Sequence, residues 1–325
     1  MPRPPKTQRI DEEERLLARI AWAYHVEELT QGAVADKLGL TRLRVNKALA
    51  EARRRGLVRV SLNTAFAPCF ALEAGLRDRF GVATAIVAPR PERIDDVQAM
   101  VGAALGSLLS AVLARPEVRR FGMSWGNTLN LATRFVAPLD RPDLEIVSVM
   151  GGLTQGSDLN SFEITTRLAD LCNARHSYFT APLYAGSAAT RDTIMGLDVF
   201  EGVLAKIRGV DALAMAAGDM SRRSLLMRDG LPSDIAMEEL VARGAVGDVL
   251  GWVLDAAGRP LYHPINERVI GIGLEDLRAI PDVILAAGGP HKVPIIRAVL
   301  GLGVIDTLVT DEGAAAALLE EDAPG

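Results

Sequence analysis

Residues 30–60 have the spacing of two short helices that cross at a fixed turn. Val34, Ala35 and Leu38 supply an apolar face to the first helix, and Ala35 is small enough for a second helix to cross closely over it. Gly39 then permits a tight turn. This pattern is typical of a helix-turn-helix and predicts a specific crossing of the two helices.

The second helix of this pair is expected to begin after Thr41, whose hydroxyl can cap its first turn. Its apolar positions at 45, 48, 49 and 52 would be buried. Side chains that are charged or carry an amide project from the rest of its surface; they are Arg42, Arg44, Asn46 and Lys47. Because arginine and asparagine recognise base edges in the major groove, these positions predict contact with DNA.

An ordinary helical hairpin with a solvated basic face is the alternative interpretation. Three neighbouring features favour DNA binding: a preceding apolar-periodic helix over 11–29, three arginines at the end of the second helix, and an alternating segment at 57–62 after Gly56. The arginines, which complement the helix dipole or meet phosphates, are Arg53, Arg54 and Arg55. A winged helix-turn-helix is therefore predicted.

The charge distribution separates this region from the rest of the chain. Residues 1–62 carry 13 Lys or Arg against 8 Asp or Glu, a net charge of +5, whereas the whole chain has a net charge of −5. The remainder therefore carries −10. We expect a basic DNA-binding domain joined to an acidic body that does not itself bind nucleic acid, because a surface of that sign repels the phosphate backbone.

The composition excludes several protein classes. A chain of 325 residues with 49% hydrophobic content can bury more than one core. Its apolar stretches are interrupted before the roughly 18 residues that span a bilayer, and its first residues lack an apolar signal segment, so we expect a cytoplasmic protein without a membrane partner. Two cysteines and four scattered histidines indicate no disulfide framework, metal or cofactor.

From Gly81 onward, short apolar runs alternate with helical patterns. The predicted strands are 83–88, 119–124, 144–151, 176–182, 211–218, 282–289 and 306–312, and the helices are 96–114, 126–135, 161–172, 198–208, 233–242, 292–302 and 312–320. Repeated strand-then-helix units form parallel sheets with helices on both faces. The sequence predicts an α/β protein with a winged helix-turn-helix over 1–62, a linker over 63–70 and a three-layer αβα, Rossmann-like domain over 71–325.

In such sheets, ligands bind beyond the carboxyl ends of the strands. The segment after the second predicted strand opens a helix and would present backbone N–H groups and hydroxyls to a phosphate; it comprises Ser124, Trp125, Gly126, Asn127 and Thr128. Gly126 is equally compatible with a plain strand-to-helix turn. Gly151 and Gly152 follow the third strand and have the same two interpretations.

Two charged residues add to the candidate ligand site. Lys292 begins a predicted helix, where a cation opposes the helix dipole and needs an anionic partner such as a bound phosphate, Asp311 or Glu312. Asp248 lies in an apolar run and needs hydrogen-bond donors such as sugar hydroxyls, unless it is a solvent-facing strand residue.

The order and spacing of several motifs carry a family resemblance. TQGAVADKLGLTRLRVNKAL, GMSWGNTL, GAVGDVLGWVLDAAG and DTLVTDEGAAAALL occur in this order along the chain. Over nearly its whole length, the chain resembles the SorC-type sugar-binding transcriptional regulators. The resemblance implies a cytoplasmic, commonly tetrameric regulator of operator DNA, whose effector domain is similar to glucosamine-phosphate deaminases and ribose-phosphate isomerases and binds a phosphorylated sugar or polyol.

Carried over by position, the resemblance implies effector contacts at the 124–128 turn, Asp248, Leu250 and Lys292. Some relatives carry a lysine where this chain has Met150, and that lysine can form a Schiff base with an aldehyde effector. The difference favours non-covalent binding of a polyol phosphate or ketose phosphate.

An enzyme is the alternative function. The segment 310–312 looks like the remnant of an isomerase site, and Asp219, Asp311 and Glu312 are candidate bases for a sugar-phosphate isomerase or deaminase with an appended DNA-binding module. We expect no catalytic activity, because a basic DNA-binding domain and an acidic body account for the chain without turnover.

Overall fold

The computed structural model describes residues 6–58, 67–90, 97–153 and 161–320; at positions 6–11 and 161, only the backbone is described. The chain divides into two compact units, Met1–Thr64 and Ala65–Gly325. No helix in the described ranges is long and apolar enough to cross a membrane.

The first unit contains three helices, α1 (Lys6–His25), α2 (Gln31–Leu38) and α3 (Arg42–Arg54). Thr30 caps α2 by accepting a hydrogen bond from the backbone N–H of Ala33 at 3.2 Å, and Gly39 turns the chain toward α3 with a φ of 63°. The shared core of the three helices is formed by Leu17, Ile20, Ala21, Ala23, Val34, Ala35, Val45, Ala48, Leu49 and Ala52. The predicted helix-turn-helix and its preceding helix are thus present.

Two boundaries of this unit differ from the prediction or lie beyond the described residues. The preceding helix ends at His25 rather than at residue 29, because Glu28 adopts a φ of 53° and the chain turns there. The predicted wing strand at 57–62 lies mostly outside the described residues, as does the first half of the predicted linker; the helix that follows begins at Ala67.

The second unit is built on a parallel sheet. Its helices are α4 (Ala67–Phe80), α5 (Val97–Leu113), α6 (Asn127–Ala132), α7 (Ser161–Leu171), α8 (Ala188–Met195), α9 (Asp198–Arg208), α10 (Met237–Ala242), α11 (Val293–Leu300) and α12 (Glu312–Leu319). Its strands are β1 (Thr84–Ala88), β2 (Arg120–Met123), β3 (Glu145–Ser148), β4 (Arg175–Ser177), β5 (Ala212–Met215), β6 (Ala217–Asp219), β7 (Ala245–Val249), β8 (Trp252–Asp255), β9 (Val283–Ala286) and β10 (Thr307–Asp311).

Seven of these strands form one sheet in the order β1-β10-β9-β5-β2-β3-β4, and its neighbouring strands pair in parallel. Strands β3, β5, β9 and β10 are buried along their whole length, and β2 is buried after its first residue, as the apolar runs predicted. The predicted α/β fold class is confirmed. The carboxyl ends of the neighbours β9, β5 and β2 lie at the same edge of the sheet, where a ligand is expected.

The sequence did not predict a second, antiparallel sheet of β6, β7 and β8. Strands β7 and β8 form a hairpin whose turn residues, Leu250 and Gly251, have φ values of 55° and 83°. Tight hairpins favour positive φ at both turn positions, usually with Asn-Gly. Because leucine stands at the first position and is itself buried, the turn is hidden within an apolar run.

Candidate effector site and DNA-contacting face

A cavity of about 310 Å³ opens beyond the carboxyl ends of β2, β5 and β9. It is lined by Gln98, Trp125, Gly126, Asn127, Thr128, Ala216, Ala217, Gly218, Arg223, Ser224, Leu225, Leu226, Arg228, Asp248 and Lys292. The structure therefore brings most of the β2–α6 turn together with Asp248 and Lys292, which are far apart in sequence. We call this space the effector cavity.

The β2–α6 turn forms one wall of the effector cavity. Gly126 has a φ of 135°, and a Cβ at this position would lie 3.2 Å from the Cβ of Ala216, so the turn requires glycine for its conformation. Among the described side chains, none caps the N-terminus of α6, which leaves backbone N–H groups available to a ligand. The Asn127 amide donates a hydrogen bond to the Gln98 side chain at 2.5 Å, and Thr128 is buried.

Lys292 is a buried cation at the cavity. Its side chain is 7% exposed, and its ammonium group donates a hydrogen bond to the carbonyl of Ala217 at 2.8 Å. Burial lowers the pKa of Lys292, while the carboxyl groups of Asp219 and Asp248 act in the opposite direction. Lys292 therefore places a desolvated amine on the cavity wall, where burial disfavours its charged form and the carboxyl groups of Asp219 and Asp248 favour it.

The carboxylates expected to pair with Lys292 are bound elsewhere. Asp311 caps α12, where it accepts hydrogen bonds from the N–H groups of Gly313 and Ala314, and it also accepts one from Gly289 at 2.6 Å. Glu312 accepts a hydrogen bond from the backbone of Arg90. The helix that follows Lys292 begins one residue later than predicted, after a 3-10 turn over Pro290–Lys292.

Asp248 is a buried carboxyl group at the same cavity. Burial raises its pKa to about 7, and Asp219 adds to the rise, whereas Lys292 and the N–H of Gly251 oppose it. Gly218 lies directly against this carboxyl group, since a Cβ there would be 2.3 Å from the Asp248 Oδ1 atom. That Oδ1 atom is buried without a hydrogen-bond partner among the described residues, and so is the Asp219 Oδ1 atom. Asp248 is therefore placed to interact with hydroxyl groups of a ligand.

Four predicted effector contacts lie outside the cavity lining. Ser124 is buried, and its hydroxyl accepts a hydrogen bond from the N–H of Ala216. Gly151 packs against the backbone of Pro182, and Gly152 bridges to the same segment and lines a separate cavity. Leu250 turns the β7–β8 hairpin and points into the core.

Sequence reasoning missed a cavity wall between β6 and α10. This wall contains Arg223, Ser224 and Arg228, and the π-helical turn Leu226–Gly230 belongs to it. Arg228 forms an ion pair with Asp229 at 2.7 Å. The signal was the pair Arg222 and Arg223, which begins three residues after the end of β6, in a segment with no helical or strand periodicity.

The surface of α3 in the first unit matches its prediction. Thr41 accepts a hydrogen bond from the N–H of Arg44 at 3.3 Å and so caps the helix. The buried face consists of Val45, Ala48, Leu49 and Ala52. The side chains predicted to reach DNA are all exposed; they are Arg42, Arg44, Asn46 and Lys47.

Comparison with known proteins identifies the family. Residues 64–320 match the Sugar-bind family of sugar-binding domains. Over 94% of its length, the chain is 31% identical to the transcriptional regulator LsrR of Escherichia coli, of which it covers 95%. It shares its fold with the full-length sorbitol operon regulator SorC of Klebsiella pneumoniae at 23% identity, with a TM-score of 0.71, over 95% of this chain and 100% of that one. The chain belongs to the SorC-type family of sugar-binding transcriptional regulators.

A further solved structure is similar to this chain. A DeoR family transcriptional regulator from Listeria monocytogenes is 26% identical, with a TM-score of 0.69, over 77% of this chain and 98% of that one. The resemblance predicted from the motifs is confirmed, and with it the function of a sugar-responsive, DNA-binding regulator. These relatives are named as transcriptional regulators and not as enzymes.

The arginines at the end of α3 differ from one another in this SorC-type chain. Arg54 and Arg55 both bind the Glu51 carboxylate, at 2.6 and 2.5 Å, and Arg55 also reaches Glu13. Their hydrogen bonds lower the pKa of Glu51 to about 2, so its charge persists over the ordinary pH range. Arg53 is exposed and has no ion-pair partner within the described ranges. All three are exposed, and Arg53 is the one without a carboxylate partner in the part of the chain that the structure describes.

Proposed function

We propose that this regulator controls a carbohydrate or polyol catabolic operon, and that a phosphorylated sugar or polyol in the effector cavity sets its affinity for operator DNA. The observation that carries the proposal is the meeting of buried Lys292, buried Asp248 and the uncapped start of α6 at one cavity. A sugar phosphate requires both a site for its anion and acceptors for its hydroxyl groups.

In the proposed complex, the phosphate lies at the β2–α6 turn, where it accepts hydrogen bonds from backbone N–H groups and the Thr128 hydroxyl. Asp248 accepts hydrogen bonds from sugar hydroxyls, and Lys292 donates to an anionic or hydroxyl oxygen. The cavity volume of about 310 Å³ suits a small metabolite. Met150 supplies no amine and is fully buried, which excludes covalent capture at that position. We propose non-covalent binding, in which Lys292 of the cavity lining acts as a hydrogen-bond donor.

On the DNA side, α3 enters the major groove with Arg42, Arg44, Asn46 and Lys47 near base edges, and Arg53 near the phosphates. Support comes from their exposure and from the basic charge of this unit. One helix-turn-helix makes a small interface, so we propose a homo-oligomer, a tetramer in the cytoplasm, that presents pairs of α3 helices to pairs of half-sites. Replacing the four base-facing side chains together by alanine should abolish operator binding.

A thermal-shift screen of phosphorylated sugars and polyols tests the effector proposal on the full chain. A true effector at 100 times its Kd should stabilise the protein by about 2.7 kcal/mol, and its unphosphorylated counterpart should not. The same compound should change operator affinity in a fluorescence anisotropy titration. A Lys292→Met variant, which keeps the apolar stem without the charge, should lose the shift and retain binding to DNA.

The alternatives give different results in the same experiments. An enzyme would interconvert the sugar phosphate at enzyme-like rates, and a purely architectural DNA-binding protein would bind DNA without any thermal shift from the screened compounds. Either result contradicts the proposed regulation by a bound effector.

A further inference from the structure

Leu43 is the large apolar residue on the outer surface of α3, whose other exposed residues are polar or charged apart from Ala50. It is the second residue of the helix and is 65% exposed. At 3.6 residues per turn, its side chain lies about 160° around the helix from Val45, which is fully buried. Leu43 therefore takes no part in the core of the first unit, and its place on the surface needs another explanation.

The surroundings of Leu43 are strongly basic. Arg42 and Arg44 flank it in the chain, and Asn46 and Lys47 lie one helical turn away on the same surface, all of them exposed. Two copies of this surface would repel each other, because none of these neighbours is acidic. The positive charge of this surface complements a polyanion, and Leu43 is the large apolar side chain among the basic residues.

We infer that Leu43 recognises the 5-methyl group of a pyrimidine in the major groove. The inference rests on the proposed contact of α3 with DNA. Residues in the first turn of a recognition helix contact base edges, and the methyl group of thymine is the apolar group that the major groove offers there. A 5-methylcytosine presents the same group. Leu43 thus adds an apolar contact to the hydrogen bonds expected from Arg44 and Asn46.

The test removes single methyl groups from DNA. A duplex is first selected by the full-length protein from a random-sequence pool, and each thymine is then replaced singly by deoxyuridine, which pairs identically but lacks the methyl group. At one thymine in each half-site, wild-type affinity should fall about fourfold, the loss that corresponds to about 0.8 kcal/mol for one buried methyl group. If the contacted base is a cytosine, 5-methylcytosine at that position should instead tighten binding by a similar factor.

Protein variants assign this effect to Leu43. Leu43→Ala should bind the thymine and deoxyuridine duplexes equally, whereas Leu43→Met, which keeps an apolar side chain of similar size, should retain the discrimination. Val26→Ala, at an exposed apolar position directly after the end of α1, is the matched control and should discriminate as the wild type does. Unchanged thermal unfolding of each variant checks that the fold is intact.

Three results would overturn the inference: a wild-type protein indifferent to every methyl substitution, a Leu43→Ala variant that still discriminates, or a Leu43→Ala variant with a smaller oligomer mass and equal losses on both duplexes. The last result would place a second copy of the chain on Leu43. Failure of the wild type to select any duplex would instead refute the proposed contact of α3 with DNA.

Discussion

The buried carboxyl group of Asp248 should make the stability of the second unit depend on pH. Burial raises its pKa from 3.8 to about 7 in the folded protein. The folded state therefore keeps a proton that the unfolded chain releases between pH 4 and 7. The stability that this proton supplies is present at low pH and is lost as the pH rises through 7.

The size of the effect follows from the difference in pKa. At about 1.36 kcal/mol per pKa unit, the whole difference corresponds to about 4 kcal/mol, and about 3 kcal/mol of it is lost between pH 5 and pH 8. Asp248→Asn is close to isosteric and removes this titration. Relative to the variant, the wild type should therefore become less stable by about 3 kcal/mol as the pH rises from 5 to 8.

Urea unfolding at several pH values measures this difference. The chain contains three tryptophans, of which Trp22 lies in the first unit and Trp125 and Trp252 in the second, so a Trp22→Phe background makes fluorescence specific for the second unit. Asp78→Asn, which removes an exposed carboxyl group on α4, is the matched control and should follow the wild type. If the free energies of unfolding of the wild type and Asp248→Asn changed in parallel with pH, there would be no buried titrating carboxyl group at this position.

Further predictions concern the effector, DNA and assembly. Effector affinity, measured by calorimetry, should increase from pH 6 to 8 in the wild type and change less in Asp248→Asn. The reason is that the ionised Asp248 carboxylate only accepts hydrogen bonds, whereas the protonated form carries a donor on one oxygen. Lys292→Ala should weaken effector binding by about 1.5 to 3 kcal/mol and leave operator binding without effector unchanged, and wild-type affinity in this variant would place the ligand elsewhere. Arg44→Ala should weaken operator binding by about 1 to 3 kcal/mol and relax the choice of base. Arg53→Ala should reduce the salt dependence of operator binding more than Arg54→Ala, since Glu51 already pairs with Arg54. Light scattering should give a mass well above the 34.7 kDa of one chain, and a monomer in the presence of operator would contradict the proposed oligomer.

Local patterns were sufficient for the helix-turn-helix and the parallel sheet. Thr30, Gly39 and Thr41 act on backbone groups within three residues or on their own φ, so their roles are readable from neighbouring positions. The alternation of buried strands with helices likewise follows from apolar periodicity, which is local. For the same reason, the outward side of α3 was predictable from the spacing of its apolar residues.

The effector cavity depended on contacts between distant parts of the chain. Asp248 reaches it because β7 pairs with β6 and Gly218 lacks a side chain, and the wall that contains Arg223 and Arg228 has no periodic pattern to predict its position. The segment 151–152 is a strand end like the others, but packing against Pro182 keeps it out of the cavity lining.

The sequence by itself thus determined the two kinds of unit, the edge of the sheet where a ligand would bind and the basic face of α3, since each depends on residues close together in the chain. Only the tertiary structure decided which charged groups share the cavity and how far burial shifts their pKa values. Desolvation and Coulomb interactions depend on distances in space, and the distance in sequence between Asp248 and Lys292 does not reveal that both lie at one cavity.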